Sequence, residues 1–249
     1  MPELQKSQNK LNHLLKQADA CFDWISVQKI DFVTKLAHRR MPGGFWGDGH
    51  AHNAVNHPEI SATRIYLTFD DGPSPDTTPY LLELLEAEEM KASFFLIGKE
   101  IEKHPDLVKK IADGGHSIGN HSYSHQFMPG LTVKQIESEI EKTNKLVEEI
   151  CGERPKNFRP PYGFMDQKTA GVLNDLAMHP VYWSQAPEDW SLPGAQAVVR
   201  RVLMRLTPGA LIVLHEGKAL REQTLLAAKE IIYRCKSSAL TLSKVELRA

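Results

Sequence analysis

From about residue 62 onward, short apolar runs alternate with amphipathic helical patterns some seven times. Few folds can accept that rhythm. The runs fall at 64–69, 92–97, 116–119, 157–159, 180–183 and 210–214, and the first is rich in β-branched and aromatic side chains. The intervening segments at 77–90, 100–113, 132–150, 166–178, 194–206 and 221–235 repeat their apolar residues at helical spacing. Thr132 and Asp166 are placed to cap their helices, and Gly114-Gly115 to end another. Strand–helix alternation of this kind implies parallel strands joined by crossover helices. So many short units in one domain suit a small barrel better than an open sheet.

The 249 residues suffice for one such domain plus an extension. Residues 1–60 read as that extension, and 61–249 as the barrel. In the extension Leu4, Leu11, Ala18, Ile25 and Phe32 recur every seven residues, which suits one or two helices. Such a stripe packs against the main domain, or serves as a seam for a homo-oligomer. The glycine-rich stretch 41–50 then reads as a connector. His50, His52 and His57 follow it without cysteine or carboxylate partners at regular spacing. A net charge of −1 and the lack of a long basic run exclude a nucleic-acid footprint. No apolar stretch is long enough to span a bilayer. The start lacks the apolar segment of a secretory signal, so a cytoplasmic location is expected, with small or cytosolic substrates favoured over a wall polymer. Three widely separated cysteines form neither a disulfide framework nor a Cys-x-x-Cys metal pattern.

Polar residues collect where the apolar runs end. The first run closes on Asp70-Asp71-Gly72-Pro73, placing two carboxylates at the carboxyl end of a strand. The same tetrapeptide also suits an ordinary solvated turn. After 116–119 comes Asn120-His121-Ser122-Tyr123-Ser124-His125, whose two histidines would share one side of a helical turn. With Asp71 they make a two-nitrogen, one-oxygen set with positions left for water, the layout of a catalytic metal. Arg159-Pro160-Pro161-Tyr162-Gly163 is a rigid turn in which Arg159 can hold a carboxylate in a bidentate contact. Glu188-Asp189-Trp190 and, after the last apolar run, His215 complete the series. His215 is either an end-of-strand residue with its own partner or a general acid.

These five clusters, in this order, closely resemble the motifs of the NodB-homology polysaccharide deacetylases, carbohydrate esterase family four. The resemblance covers about residues 62–245. It implies a distorted (β/α)7 barrel, here with an N-terminal helical extension. It also implies a metal-dependent hydrolase that removes the N-acetyl group from an N-acetylated sugar or polysaccharide, an attack on a non-peptide C–N bond. Asp71, His121 and His125 would bind one divalent ion, usually Zn2+ and sometimes Co2+ or another. Asp70, paired with Arg159, would be the base that takes a proton from the water bound to the metal. The Tyr162 backbone N–H would stabilise the oxyanion, and His215, oriented by Asp189, would protonate the leaving amine. Pro160, Trp190 and Leu214 would shape the substrate pocket. The pattern departs at Ala186, where the family commonly has an acidic residue, and Glu188 stands near enough in sequence to substitute. Alternatives are a related amidohydrolase or deformylase acting on a non-sugar or lipid-linked amide, and an inactive carbohydrate-binding protein.

Packing of the extension on the barrel predicts that deleting residues 1–60 leaves the number of chains per particle unchanged in sizing. A halved particle mass would identify a dimer seam instead.

Overall fold

The computed structural model describes residues 64–245. The expectations for residues 1–60, including the heptad stripe and the histidines at 50, 52 and 57, lie outside them. Among the described residues no helix is long and apolar enough to cross a membrane.

Seven parallel strands carry the fold. They are β1 (Arg64–Gly72), β2 (Ser93–Leu96), β3 (Ser117–Asn120), β4 (Asn157–Phe158), β5 (His179–Pro180), β6 (Leu211–His215) and β7 (Thr241–Ser243). Their order is β5-β4-β3-β2-β1-β6, with β7 paired to the first residues of β1. The last gap closes just after β5. There Gln185 bridges Ile212 of β6, and the amides of Ser184 and Gln185 both donate to the Leu211 carbonyl. The strands therefore form a small distorted barrel, as the alternation in the sequence implies. Seven helices join them: α1 (Thr78–Ala87), α2 (Gly98–Lys103), α3 (Pro105–Asp113), α4 (Val133–Cys151), α5 (Gln167–Asp175), α6 (Ala195–Leu203) and α7 (Arg221–Ser237).

Local chemistry explains most boundaries. Thr132 and Gln135 form a reciprocal capping box at the start of α4, and Gly152, at φ 77°, ends that helix. Asp166 accepts a hydrogen bond from the Thr169 amide at the start of α5. The single helix expected over 100–113 is instead two. Pro105 cannot continue a helix but suits the first turn of the next, so α2 stops at Lys103 and α3 begins at Pro105. Strand β7 was not expected.

Strand alternation divides the core into two layers. Ile65, Leu67 and Phe69 of β1 point outward and pack with Leu81, Leu85, Val198, Val202 and Ile231 of the helices. Tyr66 points inward and joins Phe95, Val181, Leu211 and Val245 in a smaller cluster within the barrel. Thr68 and Asp70 share the inward face with Tyr66, so the alternation of one strand delivers a carboxylate to the top of the barrel interior.

Phe94 has no exposed surface and stacks on Phe69 with ring centroids 5.2 Å apart. Phe94→Ala leaves a cavity between strand and helix layers and should lower stability by about 3–5 kcal/mol, measured by urea unfolding.

Candidate active site

Every element of the site sits at a strand's carboxyl end. Strand β1 lies at the centre, with β2, β3 and β4 on one side and β6 on the other. Asp70 pairs in register with Phe95 of β2, and Gly72 with Leu96, so Asp71 is the extra residue of a bulge. Its φ of 71° is the left-handed conformation that turns this second carboxylate out of the strand alternation. A Cβ at position 72 would lie 2.0 Å from Glu216 Oε1, so glycine is required where the chain turns away.

The Asp71 carboxylate meets two imidazoles. Its Oδ1 lies 3.5 Å from His121 Nε2 and 3.3 Å from His125 Nε2, and all three ligand atoms fall within 4.8 Å of one another. Asp71 Oδ1 is buried without a hydrogen-bond partner. An orphaned carboxylate oxygen facing two ring nitrogens is a costly arrangement that a divalent cation would resolve. Separations of 3.3–3.5 Å also match neighbouring donors around a single ion with bonds of about 2.0–2.2 Å. His121 Nδ1 lies 2.7 Å from the Arg159 carbonyl, which fixes the tautomer: Nδ1–H donates, and Nε2 keeps its lone pair for the ion. Burial and the neighbouring His121 lower the His125 pKa, with Asp71 and Asp70 opposing them. A neutral His125 is what a ligand must be.

The two histidines do not share a helical turn. They lie on an irregular loop after β3, with Ser122 at φ 62° and His125 at φ 55°. Loop geometry, not helix periodicity, brings both Nε2 atoms to Asp71. Glu139 of α4 holds that loop. Its carboxylate accepts from the amides of Tyr123 and Ser124 at 3.1 and 2.8 Å and from the Ser124 hydroxyl at 2.8 Å. No sequence motif singled out Glu139, because its role depends on a helix packing beside a loop.

Arg159 is fully buried within the barrel. Its Nη1 donates to Asp70 Oδ1 at 2.6 Å and to Thr68 Oγ1 at 2.7 Å, while Nε and Nη2 donate to the carbonyls of Val181 and Tyr182. The expected pairing with Asp70 is present but engages one carboxylate oxygen, not both. Asp70 Oδ2 lies 3.9 Å from His121 Nε2.

Across β1, His215 of β6 is in register with Asp70. The buried Asp189 grips it twice, accepting from the His215 amide at 2.7 Å and facing its Nδ1 at 2.9 Å. Burial alone would lower the His215 pKa. The hydrogen bond and charge of Asp189, aided by Asp70 and Asp71, outweigh it and raise the value to about 9. Nδ1–H therefore points to Asp189 and Nε2 is the atom able to deliver a proton. Trp190 stands edge-on to His215 with centroids 5.2 Å apart and is half exposed. Tyr162, at φ 59°, places its ring edge-on to His125 at 4.7 Å.

Two further expectations change. Leu214 lies in the outer layer between strands and helices, because it alternates with His215 along β6; Val213 shares the inward parity of His215 and is the better lining candidate. Pro160 is buried in the turn after β4. Glu188 does not replace the acidic residue absent at Ala186. It turns to Arg201, whose Nη1 donates to it at 3.3 Å and to the Pro187 carbonyl at 2.8 Å. Glu216 is a further buried carboxyl, held by the Thr77 and Thr78 hydroxyls, and burial pushes its pKa up to about 7.

The polysaccharide deacetylase family model matches residues 57–181. A chitooligosaccharide deacetylase of Rhizobium leguminosarum bv. trifolii is 36% identical over 180 residues, 68% of this chain and 84% of that protein. The crystal structure of a peptidoglycan N-acetylglucosamine deacetylase bound to an N-hydroxybenzamide derivative superposes with a TM-score of 0.73 at 31% identity, covering 75% of this chain and 88% of the other. A carbohydrate esterase family four pseudoenzyme from Bacillus anthracis superposes with a TM-score of 0.70 at 26% identity, covering 75% and 65%.

If Glu139 positions the histidine loop, Glu139→Ala should weaken zinc binding about tenfold in equilibrium dialysis, while the far-ultraviolet circular dichroism is unchanged.

Proposed function

The chain belongs to the polysaccharide deacetylase family, and from that membership we propose that it hydrolyses the N-acetyl group of N-acetylated sugar residues in an oligo- or polysaccharide. The observation that carries this reading is one carboxylate pair between two partners: Asp71 facing two imidazoles, and Asp70 between Arg159 and the strand that bears His215. A fold alone would not suffice, since the same barrel also carries inactive relatives.

Asp71, His121 and His125 would hold one divalent cation, and the two-imidazole, one-carboxylate set suits Zn2+, with Co2+ a workable substitute. When bound, the cation supplies Lewis acidity toward the acyl oxygen and toward water. Asp70 is the proton acceptor, its carboxylate fixed through Oδ1 by Arg159. The Tyr162 backbone N–H is the candidate donor to the developing oxyanion. As the water oxygen bonds to the acyl carbon, its proton passes to Asp70. The C–N bond then breaks, the His215 Nε2 proton goes to the leaving nitrogen, and acetate and a free amine depart. Asp189 favours the charged form of His215 and keeps its Nδ1 occupied. Trp190, beside His215, would wall the site where the acetyl methyl group sits.

Acetate release from N-acetylglucosamine oligomers, peptidoglycan and acetylated nucleotide sugars tests the reading. Acetate from at least one is expected; none, with formate or ammonia from other amides, would favour a different amidohydrolase. Asp70→Asn should keep bound metal yet lose turnover by about 10²–10⁴-fold, whereas His125→Ala should lose both. The acid must be protonated, so activity falls as pH rises through the His215 pKa. A bound cation offsets the contributions of Asp70 and Asp71, which places that alkaline limb below about 9. Asp189→Asn removes the remaining negative partner and should move the limb further down, read from kcat/KM against pH.

A further inference from the structure

The residue that orients His215 sits on a turn with little apolar anchorage. Asp189 is fully buried, but Trp190, Ser191 and Leu192 after it are exposed. Its single 3-10 turn, Asp189–Ser191, is flanked by Glu188 and Leu192, both left-handed at φ 56°. Neither has the freedom of glycine, so backbone preference works against this conformation. With so little of it buried, the turn depends on polar contacts from outside.

Helix α7 supplies them. Gln223 is buried; its Nε2 donates to the Asp189 carbonyl at 2.8 Å and its Oε1 accepts from the Gly194 amide at 2.7 Å. A backbone amide can only donate, so the glutamine's oxygen faces Gly194 and its nitrogen faces Asp189. One side chain thus bridges the first residue of the turn and the last residue before α6. Beside it, the fully buried Thr224 donates its hydroxyl to the His215 carbonyl at 2.9 Å. Consecutive helical residues point about 100° apart. The start of α7 therefore reaches the Asp189 turn with one side chain and the end of β6 with the next.

Proton transfer is sensitive to such placement. His215 must aim Nε2 at the leaving nitrogen while Nδ1 stays on Asp189, and a misplacement of about 1 Å slows a reaction severely. We propose that Gln223 and Thr224 are positioning residues for proton delivery: α7 clamps Asp189 and His215 at their carbonyls, so that the acid and the carboxylate that orients it keep one geometry. The inference rests on the deacetylase reading. It also makes the clamp matter for one kind of leaving group. An alkylamine cannot depart without a proton, so C–N cleavage in the sugar needs the aimed Nε2–H. In an aryl acetate the C–O bond breaks, the stabilised aryloxide takes the electron pair, and no proton from His215 is required. A loosened clamp slows the amide and spares the ester.

The test uses the full chain with Zn2+ added. Gln223→Met and Thr224→Val delete the hydrogen bonds at nearly constant volume, and Thr224→Ser keeps the hydroxyl. One readout is the proton resonance of His215 Nδ1–H, assigned by its loss in His215→Gln, which needs no turnover. The other is kcat/KM for acetate release from N-acetylglucosamine hexamer, set against kcat/KM for 4-nitrophenyl acetate. Gln223→Met and Thr224→Val should each move the resonance upfield or broaden it through exchange with water. Each should also lower the amide-to-ester ratio by about 10–100-fold. Thr224→Ser should match wild type, and Tyr233→Ala, removing an exposed ring from the same helix, should change neither readout. A resonance unmoved in both variants, or amide and ester rates that fall together, would overturn the clamp. Where a substrate is not turned over, the resonance decides alone. A resonance that moves, with no acetate from any sugar, would uphold the clamp and refute the deacetylase reading.

Discussion

A charged guanidinium inside the barrel is the contact on which the rest depends. Arg159 has no exposed surface, lies 3.9 Å from the centre of the Phe95 ring, and divides its donors among Asp70, Thr68 and the carbonyls of Val181 and Tyr182. It thereby links β1 to the chain just after β5, where the barrel closes. Burying such a pair is not an obvious gain in stability, because desolvation of both ions can match their attraction. Removing one partner is a different matter and costs about 3–5 kcal/mol, since the other charge is left buried alone. What the pair secures is position: the Asp70 carboxylate has one orientation, set by a donor that is itself held at four points. The carbonyl of the same Arg159 sets the His121 tautomer, so one residue serves both the proposed proton acceptor and a proposed metal ligand.

Backbone strain gathers around that contact. Asp71, Ser122, His125, Tyr162, Glu188 and Leu192 all have positive φ, at values that residues with a Cβ seldom adopt. Asp71 is a bulge at the end of β1 and the others lie on loops beyond strand ends, each at or within two residues of a candidate site residue. Strands impose alternation, and alternation would send adjacent side chains to opposite faces. A left-handed conformation is how Asp71 escapes that rule. The histidine turn is held from outside by Glu139 and from within by the Ser122 hydroxyl, which accepts from the His125 amide at 3.0 Å.

The proposed acid has its charge and its direction set by one neighbour. His215 has a buried carboxylate on its Nδ1 and its backbone amide, so its charge and its direction share one origin in Asp189. Asp189 is in turn approached by Gln223 of α7, which donates to its carbonyl at 2.8 Å. The alanine at position 186 leaves this arrangement intact. Arg201, held by the Pro187 carbonyl and Glu188, steadies the loop from the other side.

The sequence by itself determined the parallel strand–helix architecture, most helix boundaries and which polar clusters are candidates for the site. These follow from periodicity, from capping residues such as Thr132 and Asp166, and from polar clusters placed where apolar runs stop, all of which are local. Only the tertiary structure decided how those residues meet. It showed that His121 and His125 converge through a strained loop and not along a helix, and that Arg159 holds one Asp70 oxygen and not two. It also turned Leu214 toward the helices. Glu139 was invisible in the chain, because its role depends on a helix packed beside a loop. Local spacing fixes what a residue can do; the direction in which it points is set by neighbours far away in sequence.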